Sequence, residues 1–305
     1  MDVVGEALMA MRAGPAVSRR AALRGPWGLR VAGGPGLGFH VVLQGSAWLV
    51  PPDAANPTEL TTGDVVLVRN GSGYGLADHP GSPLPDVAVL ELSGDEDLAV
   101  IGTDGEPSTV VLCGSFALRH NRPHPLIAGL PEAVHLPART GVDQRLRSVV
   151  DLLGAELDGD APGTSAAIPA LLDLLLLYTV RTWYDRQADR GVGGWAAALR
   201  DPAISRALFH LQRAPERSWT VADLASVASL SRPVFARRFT DLVGQPPLTY
   251  LTWWRMTLAG RMLHADDSTL SVVAARVGYA SEFAFSKAFR RAFGVSPGTY
   301  RRSAS

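Results

Sequence analysis

Cations cluster in two stretches near the carboxyl end, Arg232, Arg237 and Arg238 in one and Lys287, Arg290 and Arg291 in another about fifty residues later, with Arg237 and Lys287 at the same position of each. A guanidinium presents a planar fork of donors that matches O6 and N7 of guanine, and any of these cations can meet a phosphate. A second group, His40, Tyr74, Cys113 and His124, lies in the first half. Imidazole and thiolate are ligands that zinc accepts. Cys113 alone could be a redox switch if its pKa were lowered and it were reachable. The plain reading is that Cys113 fills a core strand and the histidines satisfy local hydrogen bonds. From the residues alone these three readings stay open.

The cations sit within a duplication. Ser231, Phe235, Phe239, Gly244, Pro247, Thr249 and Tyr250 recur as Ser281, Phe285, Phe289, Gly294, Pro297, Thr299 and Tyr300. Ahead of them Thr220, Leu224 and Ala225 match Thr269, Val273 and Ala274. Each copy reads helix, short turn, helix. Thr220 with Asp223 has the spacing of a capping box. Ser231 and Ser281 stand where the second helices need caps, and Pro233 is tolerable in a first turn that lacks intrahelical N–H partners. Gly244 suits a left-handed residue after the helix, and Pro246-Pro247 prevents its continuation. Paired helix-turn-helix units fit this pattern. A helical solenoid or bundle with no nucleic-acid role is the alternative, and two units are too few for a solenoid, which usually needs three or more.

Charge agrees. The chain of 305 residues carries 29 basic and 29 acidic residues, yet the net is −8 up to Leu199 and +8 from Arg200 onward. A basic end on a neutral chain suggests nucleic acid as its partner. One cysteine excludes a disulfide framework and favours a reducing compartment. Met1–Met11 does not read as a signal peptide, and the apolar run at 170–180, broken by Asp173, reads as too short to span a bilayer. The expected location is cytoplasmic, with no membrane. A single lysine among the basic residues fits GC-rich coding.

The first half is built differently. Phe39–Val42, Ala47–Val50, Val65–Val68, Val87–Leu92 and Thr109–Leu112 are β-like segments between turn residues, with an acidic loop expected over Asp95–Ser108. Helical spacing follows over Val142–Leu157 and Ser165–Arg181. The second helix is apolar nearly all round, so it is either core or a subunit contact. The polar, glycine-rich stretch Ala188–Gly194 makes the best boundary.

The string from Trp219 to Arg302 resembles the AraC-type (arabinose-regulator) transcription factors. The matching segments are Thr-Val-Ala-Asp-Leu-Ala at 220–225, Phe-Ala-Arg-Arg-Phe at 235–239 and Tyr-Leu-Thr-Trp-Trp-Arg-Met at 250–256. Val-Gly-Tyr-Ala-Ser-Glu at 277–282 and Phe-Arg-Arg-Ala-Phe-Gly-Val-Ser-Pro at 289–297 continue it. The resemblance implies a seven-helix DNA-binding domain with a linker helix at Pro247–Leu263. Its two recognition helices would enter successive major grooves about 34 Å apart. The base-reading candidates it implies are Arg232, Pro233, Ala236 and Arg237 in one helix, and Glu282, Phe283, Ser286 and Lys287 in the other. Arg238, Arg290 and Arg291 are expected as phosphate contacts or plain surface, and Trp253 and Trp254 as core.

Upstream, Pro26-Trp27-Gly28-Leu29, Phe39–Gly45, Gly63–Val68, Leu112–Phe116 and His124-Pro125-Leu126 resemble the cupin-like sensor domains of one AraC-type subgroup. That implies a small β-barrel whose mouth could hold an effector. The expected architecture is α+β in two domains: a cupin-like antiparallel barrel over 1–140, a helical dimerisation element over 141–190, and an all-α double helix-turn-helix domain over 195–305. The expected partners are double-stranded promoter DNA, a second copy in a homodimer, a small-molecule, metal or oxidant effector, and RNA polymerase if the protein activates. Zinc and no cofactor stand as equal alternatives. Cupins also include metal-dependent enzymes, but here Val42 follows His40 in place of a second histidine, and Tyr74 stands where cupins often have another. No enzymatic activity is expected; a cupin metalloenzyme fused to a DNA-binding tail, and a DNA-binding module needing no effector, are the alternatives.

Overall fold

A computed structural model describes residues 3–302, excepting 13, 35, 54, 70, 72, 87–97, 102–105, 119–123, 139–142, 160, 266 and 267. The expected strand at Val87–Leu92 lies outside the described residues. By its contacts the chain forms two compact units, neither contiguous in sequence. One comprises Arg12–Leu118 with Leu130–Trp183; the other joins Met1–Met11 and Arg119–Gly129 to Tyr184–Ser305.

The first unit is β-rich. A six-stranded sheet has the order β10 (Ala133–Leu136), β6 (Val65–Arg69), β3 (Leu37–Gln44), β9 (Thr109–Phe116), β1 (Val17–Leu23), β8 (Leu98–Ile101). A four-stranded sheet has the order β2 (Gly28–Val31), β7 (Tyr74–Ala77), β4 (Ser46–Val50), β5 (Thr58–Thr61). Every pairing is antiparallel except β1 with β8. The expected barrel is therefore corrected: among the described residues the strands make two sheets that do not close. Strand spacing could not separate these cases, because closure depends on hydrogen bonds between edge strands far apart in sequence. Ala21, Leu23, Leu29, Val42, Leu49, Val66, Leu76 and Val111 belong to one buried core shared by both sheets. Leu37 to Val42 are all buried, so β3 is covered on both faces.

Two further differences have local causes. Leu98–Ile101, expected as loop, pairs in parallel with β1. β1 itself gave no strand signal because Arg19 and Arg20 interrupt its apolar run. Between β3 and β4, Gly45 turns with φ +77°, and a Cβ there would lie 2.2 Å from the Ser108 carbonyl oxygen. Only glycine fits that turn.

Helix α3 (Gln144–Asp158) and helix α4 (Thr164–Asp189) match the two expected helices, α4 running two turns farther than read. Leu146, Val149, Leu153, Leu172, Leu175, Leu176 and Val180 are buried, while Leu152 and Leu174 are exposed. By length and composition α4 is the one helix among the described residues that could cross a membrane, which corrects the shorter reading of its apolar run. A single such helix is weak evidence for a span.

The second unit is all helical among its described residues. It contains α1 (Val3–Met11), α2 (Pro125–Ala128), α5 (Trp195–Arg200), α6 (Pro202–Arg213), α7 (Val221–Val227), α8 (Arg232–Val243) and α9 (Pro247–Ala265). Then come α10 (Leu270–Arg276), α11 (Glu282–Phe293) and α12 (Pro297–Arg302). The duplicated residues form equivalent cores: Phe235, Phe239 and Tyr250 in the first copy, Phe285 and Phe289 with Tyr300 in the second.

Candidate nucleic-acid interface

Each second helix is fixed at both ends by the residues read for that purpose, with one exception. Helix α7 starts in a complete capping box: Asp223 N–H donates to Thr220 Oγ1 at 3.1 Å, and Thr220 N–H to Asp223 Oδ2 at 2.9 Å. Ser281 caps α11, its Oγ accepting from Ala284 N–H at 3.2 Å. Ser231 precedes α8 but makes no side-chain cap bond. Pro233 removes one of the two N–H groups that such a cap engages. Gly244 and Gly294 end α8 and α11 in the left-handed region, at φ +82° and +79°.

Burial then repeats with the sequence. In α8, Arg232, Pro233, Arg237 and Arg238 are exposed and Ala236 is half-buried; Phe235 and Phe239 face inward. In α11, Glu282, Phe283, Lys287, Arg290 and Arg291 are exposed, Ser286 is half-buried, and Phe285 and Phe289 face inward. Ser231 and Ser281 are exposed before them. Phe283, at 80% exposure, is the most exposed large apolar residue described. An aromatic ring left in water at the start of a helix gains nothing from folding.

Arg238 differs from its neighbours. Its Nε donates to Asp201 Oδ2 at 2.6 Å, and Nη2 pairs with the same oxygen. Asp201 is buried, and its Oδ1 accepts from Ala203 N–H and Ile204 N–H at the start of α6. Arg238 thus ties α8 to the cap of α6. Asp201 was missed in the sequence, although an Asp-Pro pair opening an apolar helix is a readable start signal.

The first-half candidates separate. His40 and Cys113 are register partners on β3 and β9, and His40 Nε2 lies 2.6 Å from Tyr74 Oη. His40 Nδ1 has no hydrogen-bond partner among the described residues. Burial holds His40 down at about 3 and pushes the Cys113 thiol up to about 12; Tyr74 is raised by burial and by its proximity to Cys113. A thiol kept protonated is a poor nucleophile and a poor ligand. His40 Nε2 is already engaged by Tyr74. The set does not fit a metal, and among the described residues no group of three or more His, Cys, Asp or Glu is placed to hold one.

His124 belongs to the helical unit. It caps α2, Nδ1 accepting from Leu126 N–H at 2.9 Å, and Nε2 lies 3.1 Å from Tyr250 Oη. The ring packs edge-on against Trp195, Trp253 and Tyr250 with centroids 4.8, 4.9 and 5.7 Å away. Trp254 is buried and Trp253 half-buried, as core residues of α9. The structure brings His40, Tyr74 and Cys113 together within the β-rich unit, while His124 packs among residues of the helical unit. In the β-rich unit His135 Nε2 pairs with buried Asp64 at 2.9 Å.

A family profile described as Cupin matches residues 2–185, and one described as Helix-turn-helix domain matches residues 224–303. An AraC-like transcription regulator of Streptomyces lividans is 33% identical over 302 residues, covering 99% of this chain and 98% of its own length. RclR of Escherichia coli K12, an RCS-specific HTH-type transcriptional activator, is 29% identical over 306 residues, covering 99% and 97%. The DNA-binding domain of AdpA, solved in complex with a target DNA, is 37% identical over 34% of this chain and 92% of its own, with a TM-score of 0.32.

Proposed function

The chain belongs to the AraC-type family of DNA-binding transcription regulators with a cupin-like domain, and from that premise we propose that α8 and α11 read adjacent half-sites of a promoter. The observation that carries this is the matched exposure of the two helices: Arg232, Pro233 and Arg237 in one and Glu282, Phe283 and Lys287 in the other stand in solvent at equivalent positions, and Arg237 and Lys287 put a cation at the same one. Helices docked about one turn apart on one face of a duplex would meet two successive major grooves. Arg237 pairs bidentately with a guanine, Lys287 with guanine or phosphate, and Arg290 and Arg291 with phosphates. Pro233, Ala236 and Phe283 offer apolar contact to bases, and Ser231, Arg232, Ser281, Glu282 and Ser286 flank them.

The remaining assignments follow from the same premise. The sheet unit senses a small-molecule effector. The segment 141–190 holds two copies together, and 195–305 binds DNA. The protein acts in the cytoplasm as a regulator and not as an enzyme, meeting RNA polymerase where it activates. An effector changes DNA binding only by favouring one arrangement of the DNA-binding helices over another. Selection of bound fragments from random and genomic duplexes tests the reading: two half-sites about one helical turn apart are expected, and enrichment of a single short site would overturn it.

A further inference from the structure

Arg255 lies in the middle of α9, the helix that joins the two helix-turn-helix units, and it reaches both. Toward the first, Nε donates to the Pro215 carbonyl at 2.7 Å and Nη2 to the Arg217 carbonyl at 2.9 Å. Those carbonyls belong to the turn before α7. That turn is itself braced: Trp219 Nε1 donates to the Ala214 carbonyl at 2.9 Å, and the Arg217 guanidinium stacks 4.1 Å from the Trp219 ring.

Toward the second unit, Arg255 meets the turn between α10 and α11. Its guanidinium carbon lies 5.8 Å from the centre of the Tyr279 ring. Gly278 beside it has φ +80°, and a Cβ there would fall 2.6 Å from Arg255 Nη2 and 2.8 Å from the Glu216 carbonyl oxygen. The turns of the two units thus abut across the guanidinium, close enough that a side chain on Gly278 would displace it. A planar fork that bonds two fixed carbonyls and packs on a ring defines direction as well as distance.

We infer that Arg255 is a positioning residue that sets the spacing and angle between the two recognition helices. The covalent link through α9 fixes their connection; the Arg255 clamp adds a second tie that resists bending of that link. The inference rests on both helices engaging one duplex.

The test uses the full chain and duplexes carrying its selected half-sites at the preferred separation and at one base pair more or less. Wild type is expected to bind the preferred spacing at least tenfold tighter than its neighbours. Arg255→Met keeps the aliphatic stem and removes the donors, and is expected to cut that ratio to threefold or less. Arg255→Lys, which can satisfy one carbonyl, is expected to fall between and serves if the methionine variant does not fold. Wild-type ratios in a folded variant, with affinity lowered equally at every spacing, would overturn the inference while leaving the two-helix reading intact. A wild type indifferent to spacing would overturn that reading and the inference with it.

Discussion

His124 Nε2 stands 3.1 Å from Tyr250 Oη, in a site where both side chains are fully buried. Since His124 Nδ1 accepts from Leu126 N–H, the ring proton sits on Nε2 and is donated to the tyrosine oxygen, which also accepts from Gln212 Nε2 at 2.9 Å. Gln212 in turn donates to the Val3 carbonyl at 3.3 Å, and His124 N–H to Met11 Sδ at 3.1 Å. Two short segments, one before β1 and one between β9 and β10, are thereby built into the core under the first helix-turn-helix unit. His124→Ala should leave the Leu126 N–H uncapped and a buried hydroxyl with one partner fewer, a cost of about 1–3 kcal/mol. Denaturant unfolding of the full chain checks this; an unchanged midpoint would contradict the assigned role.

The same burial predicts an acid response. His124 and His40 are both held at about 3, below the ordinary 6.5. Between these values the unfolded chain binds protons that the folded chain refuses, so the stability that depends on each neutral ring is complete above pH 6.5. It is lost as pH falls from 6.5 toward 3. Each ring should contribute a slope of about 1.4 kcal/mol per pH unit once well below 6.5. Unfolding measured at pH 7.5, 6 and 5 should show the decline, and His124→Gln should remove one proton's share of it. A slope unaltered by the substitution would count against the assignment.

Arg237→Ala should cost about 1–3 kcal/mol at the half-site read by α8 and relax preference for one guanine. Affinity at the other half-site should hold. Binding titrations on single-position variants of the selected operator decide the matter: full specificity in the mutant rejects the contact.

Phe283 offers a sharper chemical test because its ring carries no hydrogen-bonding group. In a major groove the complementary surface is the thymine 5-methyl. Replacing the opposed thymine by uracil should weaken wild-type binding, whereas Phe283→Ala should bind both duplexes alike. Equal sensitivity in wild type and mutant would place the ring elsewhere.

Arg238→Ala should behave unlike the other arginines of α8. Its loss leaves the Asp201 carboxylate buried without its cation, so thermal stability should fall, by about 1–3 kcal/mol given that the arginine is half exposed. The dependence of binding on salt should keep its slope, since no phosphate contact is lost. A slope reduced by about one would show that the arginine meets a phosphate after all.

The helical end was legible because its signals are local. Caps, terminating glycines and inward phenylalanines act within one or two turns, and the duplication stated each of them twice. The net charge of that end pointed to its partner without any geometry. Tertiary structure decided what depends on residues distant in the chain: that the described strands form two sheets, that Arg238 answers to Asp201, and that His124 joins Tyr250. Those outcomes turn on hydrogen bonds and burial between segments tens to more than a hundred residues apart, and no local pattern encodes which distant partner a polar group will find.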